Sequence, residues 1–263
     1  MNSIRPGSVL VVLPTLGDRI DYLRETLATV EEQRSDVDLT LVAVMPSSAA
    51  EAREIAAAVG AVVVDDPGSG ISEAINGGLR ARTTEEFYAW IGDDDLFRPG
   101  GLLRLRDLLT QDQSAVLAYG GCDYIDPVGR TLGTSRAGRV ARWLLAWGPD
   151  LIPHPGTMVR LDALEKIGGF DVTLKYAMDL DAFLRLRSFG RFLSTRETVS
   201  AFRWHPESLT VAGRKASGDE AEGIKRRHLP VALRPLSPLW LLPWRWASVL
   251  AARQVTARAR RAA

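Results

Sequence analysis

The chain has 263 residues, enough to bury a core as one large domain or as a domain with an appendage. Its 46% hydrophobic and 25% charged residues are those of an ordinary folded soluble protein, and a formal net charge of +1 gives no electrostatic ground for nucleic acid as a partner. Cys122 is the only cysteine, which excludes an internal disulfide and a multi-cysteine zinc site and makes the reducing cytoplasm the natural compartment.

The first eight residues carry no long apolar stretch, so no signal peptide is expected. No uncharged apolar run reaches the ~20 residues of a membrane span. The nearest, residues 236–252, is interrupted by Pro238, Pro243 and Arg245.

Residues 9–13 are a β-branched and leucine run that reads as a strand buried on both faces. Residues 20–33 repeat Leu23, Leu27 and Val30 at helical spacing. Strand 39–44, helix 49–59 closed by Gly60, and strand 61–64 follow. Helix 71–82, strand 87–91 and helix 101–109 complete the alternation. Four strand-helix repeats predict a three-layer α/β/α domain with a mostly parallel central sheet, whose ligand lies beyond the carboxyl ends of the strands. Pro14-Thr15, the Asp66 to Gly70 loop and Gly92 to Asp95 all follow strands, so three loops are expected to converge on one crevice.

From about Cys122 glycine and proline punctuate shorter elements, and a soft boundary falls there. Helices are expected at 161–167 and 179–188, and a strand at 199–204. After Glu222 there is no acidic residue, while nine Lys and Arg follow, so the chain closes on a basic tail.

Asp93-Asp94-Asp95 stands directly after strand 87–91. Three adjacent carboxylates repel one another, so unless solvated they need a cation, and hard oxygen ligands suit Mg2+ or Mn2+. A solvated acidic turn is the plain alternative; the place at a strand's carboxyl end favours the ligand-binding reading.

The ordered set 9–15 (VLVVLPT), 70–78 (GISEAINGG), 90–100 (WIGDDDLFRPG), 168–171 (GGFD), 178–186 (MDLDAFLRL) and 202–210 (FRWHPESLT) resembles the inverting family 2 glycosyltransferases of the GT-A fold. The resemblance implies an enzyme that moves a sugar from a nucleotide-diphospho-sugar donor to an acceptor hydroxyl. It implies base contacts at Pro14, Thr15 and Leu16, and ribose and metal contacts at Asp93, Asp94 and Asp95, with Asp95 the expected direct ligand. Asp66, Gly68, Gly70 and Asn76 would face the donor, where glycines and a helix N-terminus admit phosphate. His205 matches a late histidine that reaches back to the metal, so the expected metal set is Asp93, Asp95 and His205, holding Mn2+ or Mg2+. Asp179 matches the catalytic base, although Met178 stands where relatives place a glutamate. His154 is expected to contact the acceptor or pack its loop.

Met45-Pro46-Ser47-Ser48 replaces the aspartate that commonly recognises the base, which admits guanine or thymine donors beside uridine. On this reading residues 1–122 form the nucleotide-sugar-binding half, 123–212 the acceptor-binding and catalytic half, and 213–263 the tail. Trp240, Trp244 and Trp246 among leucines and arginines give the tail the chemistry of an interfacial segment. The expected setting is therefore cytoplasmic, peripheral on the inner membrane face, with a saccharide or lipid-linked acceptor. A nucleotidyltransferase and a non-catalytic nucleotide-sugar-binding protein are the alternatives; the first would want a basic loop after strand one, and Met178 keeps the second open.

Overall fold

The computed structural model describes residues 3–136, 138–205 and 213–262. One nine-stranded sheet organises them. It is built from β1 (Arg5–Pro14), β2 (Leu39–Met45), β3 (Val62–Asp65), β4 (Glu85–Trp90), β5 (Leu96–Phe97), β6 (Ala115–Ile125), β7 (Thr131–Ser135), β8 (Thr157–Arg160) and β9 (Arg191–Arg203). The order is β3-β2-β1-β4-β8-β6-β9-β5, with β7 paired to β6. Parallel pairing predominates: β3, β2, β1 and β4 all run one way, and β6 and β9 form a long parallel pair. β8 is antiparallel to both β4 and β6 and joins the two parallel blocks.

The alternation of β1 shows why the sheet is the middle of three layers. Val9, Val11 and Leu13 pack with buried residues of α1 (Ile20–Gln33), α2 (Ala50–Ala58) and α4 (Gly101–Gln111). Leu10 and Val12 pack on the opposite face with α3 (Ile71–Arg80), α6 (Leu161–Lys166) and α7 (Met178–Leu186). Side chains in a strand alternate faces, so a one-residue slip would exchange the two cores. Each such Val or Leu contributes about 1.5–3 kcal/mol by burial, which pins the register. Gly78 lets α3 lie directly on β1, since a Cβ there would stand 2.4 Å from Val12 Cγ1.

Register also positions the site. Val12 pairs with Trp90, so the chain leaves β1 and β4 side by side at the same sheet edge, delivering Thr15 and the Gly92 to Asp95 turn together. β9 reaches that edge from the other parallel block and pairs Ala201 with Leu96, which carries Arg203 and His205 beneath the three aspartates. Two further helices follow, α8 (Arg214–His228) and α9 (Pro238–Ala262); a short α5 (Ala141–Leu144) precedes β8. Residues 206–210, the end of the last sequence motif, lie outside the described residues, as does the stretch to 212.

Helix α9 continues through Pro243. Arg245 of the basic tail is paired with acids of α8: its Nη1 lies 2.7 Å from Asp219 Oδ1 and 3.6 Å from Glu222 Oε2. Among the described residues no helix is long and apolar enough to cross a membrane.

Candidate active site

A cavity of about 400 Å3 opens at the shared sheet edge. Its wall includes Pro14 and Arg19 after β1, Trp90 and Gly92 to Asp95 after β4, Asp150 and His154 before β8, and Tyr176 and Asp179 at the start of α7. A larger separate groove, about 720 Å3, is lined by Asn76, Arg80, Arg82, Asp162 and Glu165. There Arg82 is already paired with Asp162 and Glu165, whereas the smaller cavity holds the cluster of carboxylates and is the better site.

The cation that faces the aspartates is a guanidinium of the chain itself. Arg19 donates from Nη2 to Asp93 Oδ1 at 2.5 Å and from Nη1 to Asp94 Oδ2 at 2.7 Å. Thr15 Oγ1 donates to the other oxygen of Asp93 at 2.5 Å. His205 Nε2 stands 2.7 Å from Asp94 Oδ2 and 3.2 Å from Arg19 Nη1. Asp95 is almost wholly buried; its Oδ1 accepts the Arg203 N–H at 3.1 Å, and its Oδ2 has no hydrogen-bond partner.

These surroundings divide the three carboxyls. Burial pushes Asp93 up to about 6, against the pull of Arg19 and Thr15. Asp95 is raised well above the usual carboxylate range by burial and then by the neighbouring charge of Asp94. Burial works in the same direction on Asp94, but His205 and Arg19 outweigh it and hold that carboxyl below its usual value. The cluster is therefore short of positive charge, and most so at Asp95.

Arg203 supports the turn from below. It is fully buried, donating from Nε to the Asp94 carbonyl at 2.9 Å, from Nη1 to the Pro127 carbonyl at 2.9 Å and from Nη2 to Glu25 at 2.6 Å. Its guanidinium also lies 4.4 Å from the Tyr22 ring centroid. Sequence reading missed Arg203, because an arginine ending a strand reads as solvated until its strand is known to be internal.

Asp179 lies in the first turn of α7 and lines the cavity. Its carboxyl is pushed up to about 7, first by burial and then by the charge of Asp150. Asp181, two residues on, turns away into a 2.7 Å ion pair with Arg185. The N-terminus of α7 is held by Glu220 of α8, whose carboxylate accepts the N–H groups of Lys175, Tyr176 and Ala177 at 3.1, 2.8 and 2.7 Å. A carboxylate there satisfies free N–H groups and complements the helix dipole. No local pattern marks Glu220, since the N–H groups it accepts lie more than forty residues upstream.

His154 stacks on Trp90, with ring centroids 4.4 Å apart. Burial lowers it to about 3, so it is neutral, and its Nδ1 is buried without a partner at the cavity wall. Other expected donor contacts lie elsewhere. Leu16 is exposed, and Asp66 accepts the Gly68 N–H at 2.9 Å in its own loop. Gly70, with φ 103°, starts α3. Asn76 pairs both of its amide atoms with the backbone of Phe170, at 2.8 and 3.0 Å. Of α3 only Ile71 reaches the cavity wall.

The chain matches the glycosyl transferase family 2 profile over residues 10–168, which spans more than half of it. It belongs to glycosyl transferase family 2. The fold agrees: the GT-A enzyme TarS of S. aureus, residues 1–349 in complex with UDP-GlcNAc, superposes with a TM-score of 0.65 at 13% identity, covering 86% of this chain and 69% of that one. A mannosyltransferase from Pyrobaculum calidifontis, in complex with GDP-Man and Mn2+, gives 0.64 at 19% identity over 93% of this chain and 74% of that one. No curated protein sequence matches significantly. This family 2 member is thus a glycosyltransferase with the GT-A fold, and its cavity lies where the family motifs after β1 and β4 meet.

Proposed function

We propose that the protein is an inverting, metal-dependent glycosyltransferase that uses a nucleoside-diphosphate sugar and an acceptor hydroxyl in cell-surface polysaccharide or glycolipid assembly. The observation that carries this reading is one cavity lined both by Asp93, Asp94 and Asp95 and by Asp179. The first group suits a charged donor and the second suits proton transfer.

The donor set fits a hard dication by chemistry: carboxylate oxygens, an imidazole, and in Asp95 Oδ2 a buried oxygen with nothing bonded to it. Among the described residues no three such groups already converge as a metal cage; the Arg19 guanidinium occupies their midst. Asp93, Asp95 and His205 would hold Mn2+ or Mg2+, with Arg19 released from Asp93 and Asp94. Bound metal would neutralise charge on the donor diphosphate as the glycosidic bond breaks. Pro14 lines the cavity and Thr15 holds Asp93 at its wall, whereas Leu16, Asp66 and Gly70 lie outside that wall and Asn76 keeps its amide on Phe170.

Asp179 acts as base. The acceptor O–H proton passes to its carboxylate while the oxygen forms a bond to the anomeric carbon. The bond from that carbon to the phosphate oxygen breaks, and its electron pair leaves with the nucleoside diphosphate. Attack opposite the leaving group inverts the configuration.

A thermal-shift panel of UDP, GDP, dTDP and CDP, each with and without Mn2+, tests the reading. One diphosphate is expected to raise Tm by more with Mn2+ than without, because a ligand that prefers the folded state stabilises it. No selective rise with any of them would defeat it.

The reading extends to a membrane-side acceptor, with the enzyme cytoplasmic and peripheral. Leu239, Trp244, Trp246 and Leu250 of α9 are exposed, as is Trp143 of α5, and Trp147 meets Trp240 at 5.7 Å between ring centroids. Exposed tryptophans and leucines beside arginines suit an anionic lipid surface. Truncation after Pro230 should abolish co-sedimentation with phosphatidylglycerol vesicles; undiminished binding would remove this extension.

A further inference from the structure

The carboxylate that most influences Asp179 comes from a segment the family motifs do not touch. Asp150 lies in the stretch between α5 and β8 and lines the same cavity as Asp179, His154 and Tyr176. Its Oδ1 accepts the Ile152 N–H at 3.1 Å, which fixes its direction within the loop. Behind it, Lys225 of α8 reaches into the segment and donates from Nζ to the Gly148 carbonyl at 2.6 Å. Two acids on separate elements thus line one cavity, and a lysine of α8 is anchored in the segment that carries the outer one.

We propose that Asp150, with Lys225 beside it, is a positioning residue of the transfer site: its negative charge governs how readily Asp179 takes the acceptor proton. The inference rests on the reading of Asp179 as base.

The groups around Asp179 leave this role to Asp150. On β4, Tyr88 is raised well above its ordinary value by burial and by Asp179 itself, so it is neutral. His154, in the turn before β8, is neutral as well. On β6, burial pushes Tyr124 up to about 12, and Asp150 is among the charges that add to this. Tyr176 precedes α7, and Met178 brings no charge. From α8, Glu220 also raises Asp179, but its oxygens are engaged by three backbone N–H groups. The Asp93 to Asp95 cluster is balanced in part by Arg19. Burial is the first cause for both acids and raises Asp150 as well as Asp179; the next is the charge of Asp150 for Asp179, and for Asp150 the opposing pull of Lys225. Like charges sharing a site hold a proton more tightly than either would alone.

The signs are opposite for the two partners. Asp150→Asn removes the repelling charge, so Asp179 gives up its proton more easily and becomes a weaker base. The rising limb of kcat/KM against pH is expected to move to lower pH by about half a unit or more, with a plateau reduced several-fold. Lys225→Met removes the compensating charge and is expected to move the limb to higher pH. A role in folding alone would lower activity without shifting the limb in two directions. Where a variant is too slow to profile, carboxyl 13C NMR titration of Asp179 reads the same displacement. Limbs and titrations unmoved in folded variants overturn the inference. If Asp179→Asn transfers sugar at the wild-type rate, the base assignment fails instead, and the two failures are distinct.

Discussion

Replacing Asp179 with Asn is expected to lower kcat by about 100- to 10,000-fold, a loss of roughly 3–5 kcal/mol of transition-state stabilisation, while donor affinity stays within a few-fold of wild type. The separation follows from the cavity. Asp179 stands on α7, whereas Asp93 to Asp95 follow β4, so the amide alters the proposed proton acceptor without disturbing the proposed donor end. Isosteric replacement also keeps the Oδ1 contact with the Leu180 N–H, 2.8 Å in the wild type, so the helix start is preserved. Because the carboxyl is pushed up to about 7, wild-type kcat/KM should rise with pH through about 7 and level off above it. The residual activity of Asp179→Asn should lack that limb. Steady-state kinetics from pH 5 to 9, with calorimetric donor titration, separate the two effects.

Asp95→Asn is expected to act on the other end and on stability in opposite senses. Its Oδ2 is buried, unpaired and next to Asp94, so it is the oxygen with most to gain from a metal ion. Removal of its charge should reduce metal-dependent donor binding and kcat/KM by more than about 100-fold, since even residues that only support a ligand cost 10–100-fold. The metal-free protein should nevertheless melt at a higher temperature near neutral pH. The folded-state value of Asp95 is raised above its unfolded one, so its contribution is intact at low pH and is lost as pH rises through the folded value. The advantage of Asp95→Asn should therefore vanish below about pH 4, the ordinary carboxylate value, and grow as pH rises above it. Melting curves of wild type and variant between pH 3.5 and 8, with EDTA present, read this directly.

Much of the first 111 residues, from β1 to α4, is legible in sequence because its signals are local. Run 9–13 is buried on both faces and apolar throughout, run 39–44 is so apart from the half-buried Thr40, and α1 repeats its leucines at helical spacing. The long β6 and β9 pair is not legible in this way. β6 runs through Gly120-Gly121, where a Cβ at Gly120 would stand 2.7 Å from the Val199 side chain of β9. The glycines are there for a close strand approach that only the partner strand reveals. β9 itself carries Arg191, Ser194, Thr195, Arg196 and Glu197, polar enough to hide all but its last residues.

The site divides in the same manner. Asp93 to Asp95 and Asp179 announce themselves by motif. Arg19, Asp150, Arg203 and Glu220 act through partners far away in the chain, and no spacing encodes them. Asn76 shows the converse: it sits in a family-like motif, but its amide closes the packing of α3 against Phe170.

The central claim is that the aspartate cluster grips a divalent ion against a nucleoside diphosphate, independently of the base on α7. Mn2+ binding measured by electron paramagnetic resonance, in the presence of the diphosphate that most raises Tm, tests it most directly. Wild type and Asp179→Asn should bind Mn2+ alike, and Asp95→Asn should bind at least about 100-fold more weakly. Equal Mn2+ binding by Asp95→Asn and wild type, or none by wild type, would contradict it.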